Sequence, residues 1–186
     1  MRSAAAVALA GLLVACASTR QHESGPGATS WSPLAPATLG AERAANQRLR
    51  AAFSDRELIL DCVVKVSAGH LTVIGLVPGG PRMFSVDYDG QHVAAQESAE
   101  IPEDLRPQLL LNDLQLTLWP LAALQSALDH SRWTVTEPDA RTRRLARDRK
   151  LIAEVHYASA DPWTGRAWLV NFEHGYSITI DSLPLE

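Results

Sequence analysis

The sequence predicts a mainly β fold of the α+β class: one strongly curved antiparallel sheet, preceded by a helix and interrupted by a helical insert. Three observations predict it. About nine segments alternate apolar and polar side chains, and most of the links between them are of hairpin length. Residues 101–128 differ in kind, with eleven leucines or isoleucines, three prolines and no sustained alternation.

In chain order, Ala41, Ala44, Ala45, Leu49, Ala52 and Phe53 recur at helical spacing, while Glu42, Arg43, Gln47, Arg48 and Arg50 fall elsewhere on the wheel. This spacing predicts an N-terminal amphipathic helix over 40–53. The period then changes to two, because Leu58, Leu60, Cys62, Val64 and Val66 alternate with Ile59, Asp61, Val63 and Lys65. Ser67-Ala68-Gly69 turns the chain into a second strand over 70–77, which Pro78-Gly79-Gly80-Pro81 stops. Phe84, Val86 and Tyr88 alternate with Ser85 and Asp87, and Asp89-Gly90 supplies the left-handed turn of a hairpin returning over 91–96. A calcium loop does not fit Asp87 and Asp89, since the EF-hand glycine stands at position six and Gly90 falls at position four.

The leucine-rich insert reads as short helices and bends. Pro120 suits the first turn of a helix in which Leu121, Leu124 and Leu128 form one stripe. Such an insert either belongs to the core or caps a cavity. Strands follow near 133–136, 143–148, 151–157, 166–172 and 176–182. The last is the cleanest, with Tyr176, Ile178 and Ile180 on one face and Ser177, Thr179 and Asp181 on the other.

Ahead of these elements, Arg2 and the apolar run over 4–14 have the form of a targeting segment, closed by small residues before a cysteine. Leu13-Val14-Ala15-Cys16 resembles the bacterial lipobox, which implies removal of residues 1–15 and acylation of Cys16. Ala17, rather than Asp, follows the cysteine, and in lipoproteins that implies delivery to the outer membrane. The apolar run is roughly a dozen residues, short of the ~20 that cross a bilayer as a helix. Residues 16–38 are rich in Ser, Thr, Gly, Pro and Ala, with Trp31 and Leu34 the only large apolar side chains, and read as a flexible tether spanning roughly 25 Å. A single domain is expected over 39–186.

Without residues 1–15, 16 bases stand against 21 acids, a formal charge of −5, so nucleic acid is an improbable partner. Cys62 would be the one remaining thiol, set among Leu60, Val63 and Val64 and expected to be buried and inert. No Gly-x-Ser-x-Gly elbow, His-Glu-x-x-His helix, phosphate-cradling glycine loop or Cys-x-x-Cys pair occurs. The six histidines are scattered singly, without a second ligand at metal spacing. No cofactor, no metal and no catalytic residue is expected. Arg141, Arg143, Arg144, Arg147, Arg149 and Lys150 make one hairpin basic within an acidic protein. This is a solvated face, or a dock for anionic headgroups or an acidic partner through Arg143, Arg144 and Arg147. Trp163 at a hairpin tip is a second candidate membrane contact, or packs back on its own hairpin.

Three stretches, Met83-Phe84-Ser85-Val86-Asp87-Tyr88-Asp89-Gly90, Leu110-Leu111-Asn112-Asp113-Leu114-Gln115-Leu116-Thr117-Leu118-Trp119-Pro120 and Asn171-Phe172-Glu173-His174-Gly175-Tyr176, resemble a family of bacterial lipoproteins that carries a domain-of-unknown-function label. The similarity spans about residues 36–183. That family is often found with aryl polyene gene clusters and is similar to the lipoprotein carriers LolA and LolB. The resemblance implies an incomplete antiparallel β-barrel closed by a helical lid around an apolar cavity. Its lining would draw on Leu58, Leu60, Val64, Phe84, Val86, Tyr176, Ile178 and Ile180.

The function expected is that of a non-enzymatic, periplasm-facing outer-membrane lipoprotein that binds a lipid or an acyl or aryl polyene chain and helps carry or place it. Its partners would be the membrane, through the anchor, and the lipoprotein sorting machinery. The rival reading is a membrane-tethered assembly factor that recruits a biosynthetic or export partner, and a weaker one is an envelope hydrolase or transferase.

Overall fold

A computed structural model describes residues 31–97 and 107–185. The processing signal over 12–16, the anchor position Cys16 and the first part of the expected tether lie outside the described residues.

Among the described residues the chain forms ten strands and two helices: β1 (Arg43–Ala52), β2 (Glu57–Val66), β3 (Leu71–Leu76), β4 (Arg82–Tyr88), β5 (Val93–Glu97), α1 (Pro107–Leu118), α2 (Leu121–Leu128), β6 (Trp133–Asp139), β7 (Thr142–Arg147), β8 (Lys150–Tyr157), β9 (Gly165–Asn171) and β10 (Tyr176–Pro184). All ten strands join one antiparallel sheet in the order β5-β4-β3-β2-β1-β10-β9-β8-β7-β6. Two five-strand meanders therefore meet at the β1–β10 pair and run outward to edges β5 and β6, which do not pair with each other among the described residues. The sheet is an incomplete barrel. The segment that carries α1 and α2 leads from one edge strand to the other, so it crosses the concave face and covers it.

The expected N-terminal helix over 40–53 is absent, and its residues form β1 at the centre of the sheet. Burial alternates along it: Ala45, Gln47 and Ala51 point inward while Asn46, Arg48 and Arg50 are exposed. Gln47 at an inward position masks the apolar alternation, and the alanines carry high intrinsic helix propensity. Pairing on both sides, Leu49 between Leu60 of β2 and Ile180 of β10, overrides that weak preference.

The turns follow residue chemistry. Gly90 takes φ 92° while Asp89 Oδ1 accepts from the amides of Gln91 and His92, as an Asp-Gly hairpin requires. Asp148 and Arg149, joining β7 to β8, both take positive φ. On the concave side Gly75 lies under the Phe84 ring of the neighbouring strand. A Cβ there would stand 2.3 Å from Phe84 Cε1, so only glycine admits the ring.

The core lies between the sheet and α1. From Leu110 to Trp119 every residue of that segment is buried, so α1 fills the barrel instead of resting on its rim. Leu124 and Leu128 of α2 are buried beside β6, and Gln125 Nε2 donates to the Val135 carbonyl. The folded body also reaches back past the expected boundary at Leu39. Trp31 and Leu34 are buried, with Trp31 set edge-on to Trp133 at 5.6 Å. These two apolar side chains in a polar stretch help to fasten it.

Candidate functional site

The segment 109–119 mixes leucines with Asn112, Asp113, Gln115 and Thr117 in a pattern with no polar face. Burying a helix of that composition is costly unless its polar groups find partners inside the protein. The surroundings of α1 supply them for most of these groups, Asn112 Oδ1 being buried without one. Gln115 clasps the backbone of Leu34 with two hydrogen bonds, its Oε1 accepting from the amide and its Nε2 donating to the carbonyl, each at 2.8 Å. Asn112 Nδ2 donates to the Trp31 carbonyl at 3.0 Å, and Trp119 Nε1 to Thr38 Oγ1 at 2.9 Å. Residues 31–38 thereby form a strap along the outer side of α1, held also by the Tyr88 hydroxyl on the Pro33 carbonyl.

On the side facing the sheet, the Tyr176 hydroxyl donates to Asp113 Oδ2 and in turn accepts from Asn171 Nδ2 at 3.2 Å. Burial pushes the Asp113 carboxyl up to about 7, although the hydrogen bonds from Tyr176 and Asn171 oppose that rise. At the far end, the last turn of α1 has no basic residue of its own. Arg143 of β7 takes that role: its Nη1 donates to the carbonyls of Leu116 and Trp119, each at 2.7 Å. The guanidinium is held in turn by Glu137, which accepts from Nε at 2.9 Å and Nη2 at 2.6 Å.

Between α1 and the sheet remains a void of about 30 Å³. Leu110, Leu114 and Leu118 of α1 face Leu49, Val64, Val73, Leu169, Ile178 and Ile180 of the sheet across it, with Cys62, Gln47, Asp113 and Thr117 at its margin. That volume admits about one water, whereas ligand pockets run to roughly 300–1,000 Å³. With α1 seated, the barrel is full. Burial drives the Cys62 thiol up to about 12, so it stays protonated and unreactive.

Of the residues expected to line a cavity, Val64, Ile178 and Ile180 border this void. Leu60, Phe84, Val86 and Tyr176 are buried in the same core, and Leu58 is half-buried against it. Two of the expected surface contacts are corrected. Arg143 is buried because it shares the inward parity of Leu145, and Trp163 is 2% exposed, tucked beneath its turn with the Arg43 guanidinium 5.8 Å from its ring. Arg144 lies outside but pairs with Glu154 at 2.5 Å, and Arg147 pairs with Glu173. Asp113, Gln115, Asn112 and the α1-capping role of Arg143 were not singled out from sequence. Their signal was the set of four polar residues inside the otherwise apolar segment 109–119.

No helix among the described residues is long and apolar enough to cross a membrane, and no group of three His, Cys, Asp or Glu side chains among them could hold a metal ion. The fold and its contents define an open antiparallel β-barrel plugged by its own helix. Residues 44–184 match the family model described as protein of unknown function (DUF3261), and the chain belongs to that family. No curated protein matches it. A crystal structure of a LolA superfamily protein from Nitrosomonas europaea is similar at 11% identity and a TM-score of 0.45, over 76% of this chain and 84% of that one.

Proposed function

We propose that the protein is a lipid-anchored carrier of the outer membrane, facing the periplasm, whose concave face binds an acyl or aryl polyene chain when α1 withdraws. One observation carries this reading: an apolar wall open between two edge strands is filled by a helix tied down largely through polar clasps. For the leucines that face the wall, the exchange is close to balanced in energy. Withdrawing Leu110, Leu114 and Leu118 from the wall costs roughly 5–9 kcal/mol at ~1.5–3 kcal/mol per buried leucine. About a dozen methylenes of an incoming chain return ~10 kcal/mol at ~0.8 kcal/mol each. The chain thus substitutes for the helix, and no chemical step is involved. Anchoring would come from acylated Cys16, and the sorting machinery that handles lipoproteins would deliver the protein.

The test uses a soluble form that lacks residues 1–15 and carries Cys16→Ala. Titration with cis-parinaric acid, a fluorescent conjugated polyene acid, is expected to saturate at one probe per protein, with the adduct retained in native mass spectrometry. A folded protein that refuses the probe up to its solubility limit overturns the carrier reading and leaves the assembly-factor alternative.

A further inference from the structure

We infer that the barrel end formed by the β7–β8 and β9–β10 turns is a docking face for an anionic membrane surface, with Arg149, Lys150, Leu151 and Phe172 as its contacts. Hydrogen bonding brings these turns together, since the Phe172 amide donates to the Ile152 carbonyl at 2.8 Å and Asn171 stands opposite Ala153. Phe172 is 52% exposed and Leu151 36%, while Arg149 and Lys150 are exposed beside them. The other cations of this region are already satisfied: Arg132 by Asp148, Arg144 by Glu154 and Arg147 by Glu173. Arg149 and Lys150 have no acidic partner among the described residues. Two unpaired cations next to two exposed apolar side chains match the headgroup and acyl boundary of an anionic bilayer.

The path of the chain selects this end over the other. Leu183 and Leu185 are also exposed, but they lie at the opposite end. Trp31 packs on Trp133, whose register partner Arg147 is two residues from Arg149, so Trp31, the first described residue, sits at the docking end. Cys16 stands 15 residues ahead of Trp31 in the sequence, so an anchor there keeps these turns within roughly 50 Å of the bilayer, the most that such a length of chain can reach. An anchor at that distance holds these turns at high effective concentration near the bilayer. The orientation matters because the chain as a whole is acidic, with a formal charge of −4, and an anionic surface repels its other faces. The anchor belongs to the function proposed above, but the docking face does not depend on what the concave side binds.

The test reads position directly. The full lipidated protein is reconstituted in vesicles of phosphatidylglycerol and phosphatidylethanolamine with an environment-sensitive fluorophore on His174→Cys, in the β9–β10 turn, or on Ala68→Cys, at the opposite end. Cys62 is buried and does not compete for label. Emission at His174→Cys is expected to shift to the blue and to be quenched by brominated lipid, while Ala68→Cys stays water-like. Adding Arg149→Glu and Lys150→Glu abolishes the shift, since each basic group near such a surface contributes about fivefold to partition. Cis-parinaric acid binding is unchanged in that variant, which keeps failure of docking distinct from failure of the carrier reading. Equal emission at both positions, or a shift that survives charge reversal, overturns the inference.

Discussion

Asp113→Asn makes the protein more stable than its parent at pH 8 and about equally stable near pH 4. The folded state holds the Asp113 proton up to about pH 7, whereas an exposed aspartate releases it near ~3.9. Between those values the folded state binds more protons than the unfolded one, so stability falls as pH rises through this window and levels off above it. A shift of this size corresponds to a loss on the order of 4 kcal/mol by neutral pH. Its cause is desolvation of the carboxylate against α1's apolar surroundings. The asparagine amide cannot ionise, so the penalty disappears. Urea unfolding of both proteins at steps from pH 5 to pH 8 checks it. Surface carboxylates such as Asp61, Asp148 and Asp181, which arginine partners hold below their ordinary range, contribute equally to both curves and cancel in the difference. A difference that grows toward pH 8 is expected, and parallel curves refute the assignment.

Arg143→Met lowers stability at pH 7 by roughly 2–6 kcal/mol, since two buried carbonyls are left without a donor at ~1–3 kcal/mol each. Two consequences combine. The carbonyls of Leu116 and Trp119 lose their donor at the negative end of the α1 dipole, and Glu137 loses its cation. Arg143→Lys recovers little, because one ammonium cannot address two carbonyls and a carboxylate in the planar fork that the guanidinium presents. Adding Glu137→Leu to Arg143→Met costs less than the two single changes summed, since both break the same network. Urea midpoints of the four variants decide the matter. A near-neutral Arg143→Met means that the guanidinium does not hold the helix.

Much of the sheet was legible because hairpins are local. Asp89-Gly90 announces its turn, and Tyr176, Ile178 and Ile180 announce the inward face of β10, with no knowledge of what lies across the barrel. β1 was not legible. It is the strand with the most distant partner, paired with residues 177–184, and the side chains that fix its register belong to β10 and β2. Gln47 and the alanines speak locally for a helix, and only the assembled sheet outvotes them.

The candidate site divides in the same way. That residues 101–128 supply helices to cover the concave face could be read from leucine density, but the depth to which α1 sinks could not. Depth depends on groups far away in sequence: Tyr176 for Asp113, Leu34 for Gln115, and Arg143 for the last turn. Arg143 illustrates the limit, since a run of bases looks solvated until strand parity is applied. Leu145 must face inward, and two residues earlier Arg143 faces inward with it.

Hydrogen exchange along the folded chain distinguishes a displaceable α1 from a fixed core helix. Amides of α1 over 110–118 are expected to open at a lower free energy than those of β1, β2 and β10, and saturation with cis-parinaric acid is expected to speed α1 exchange while the sheet stays protected. If α1 exchanges only in step with global unfolding, and the probe leaves its rate unchanged, the helix is a permanent core element and the barrel carries nothing.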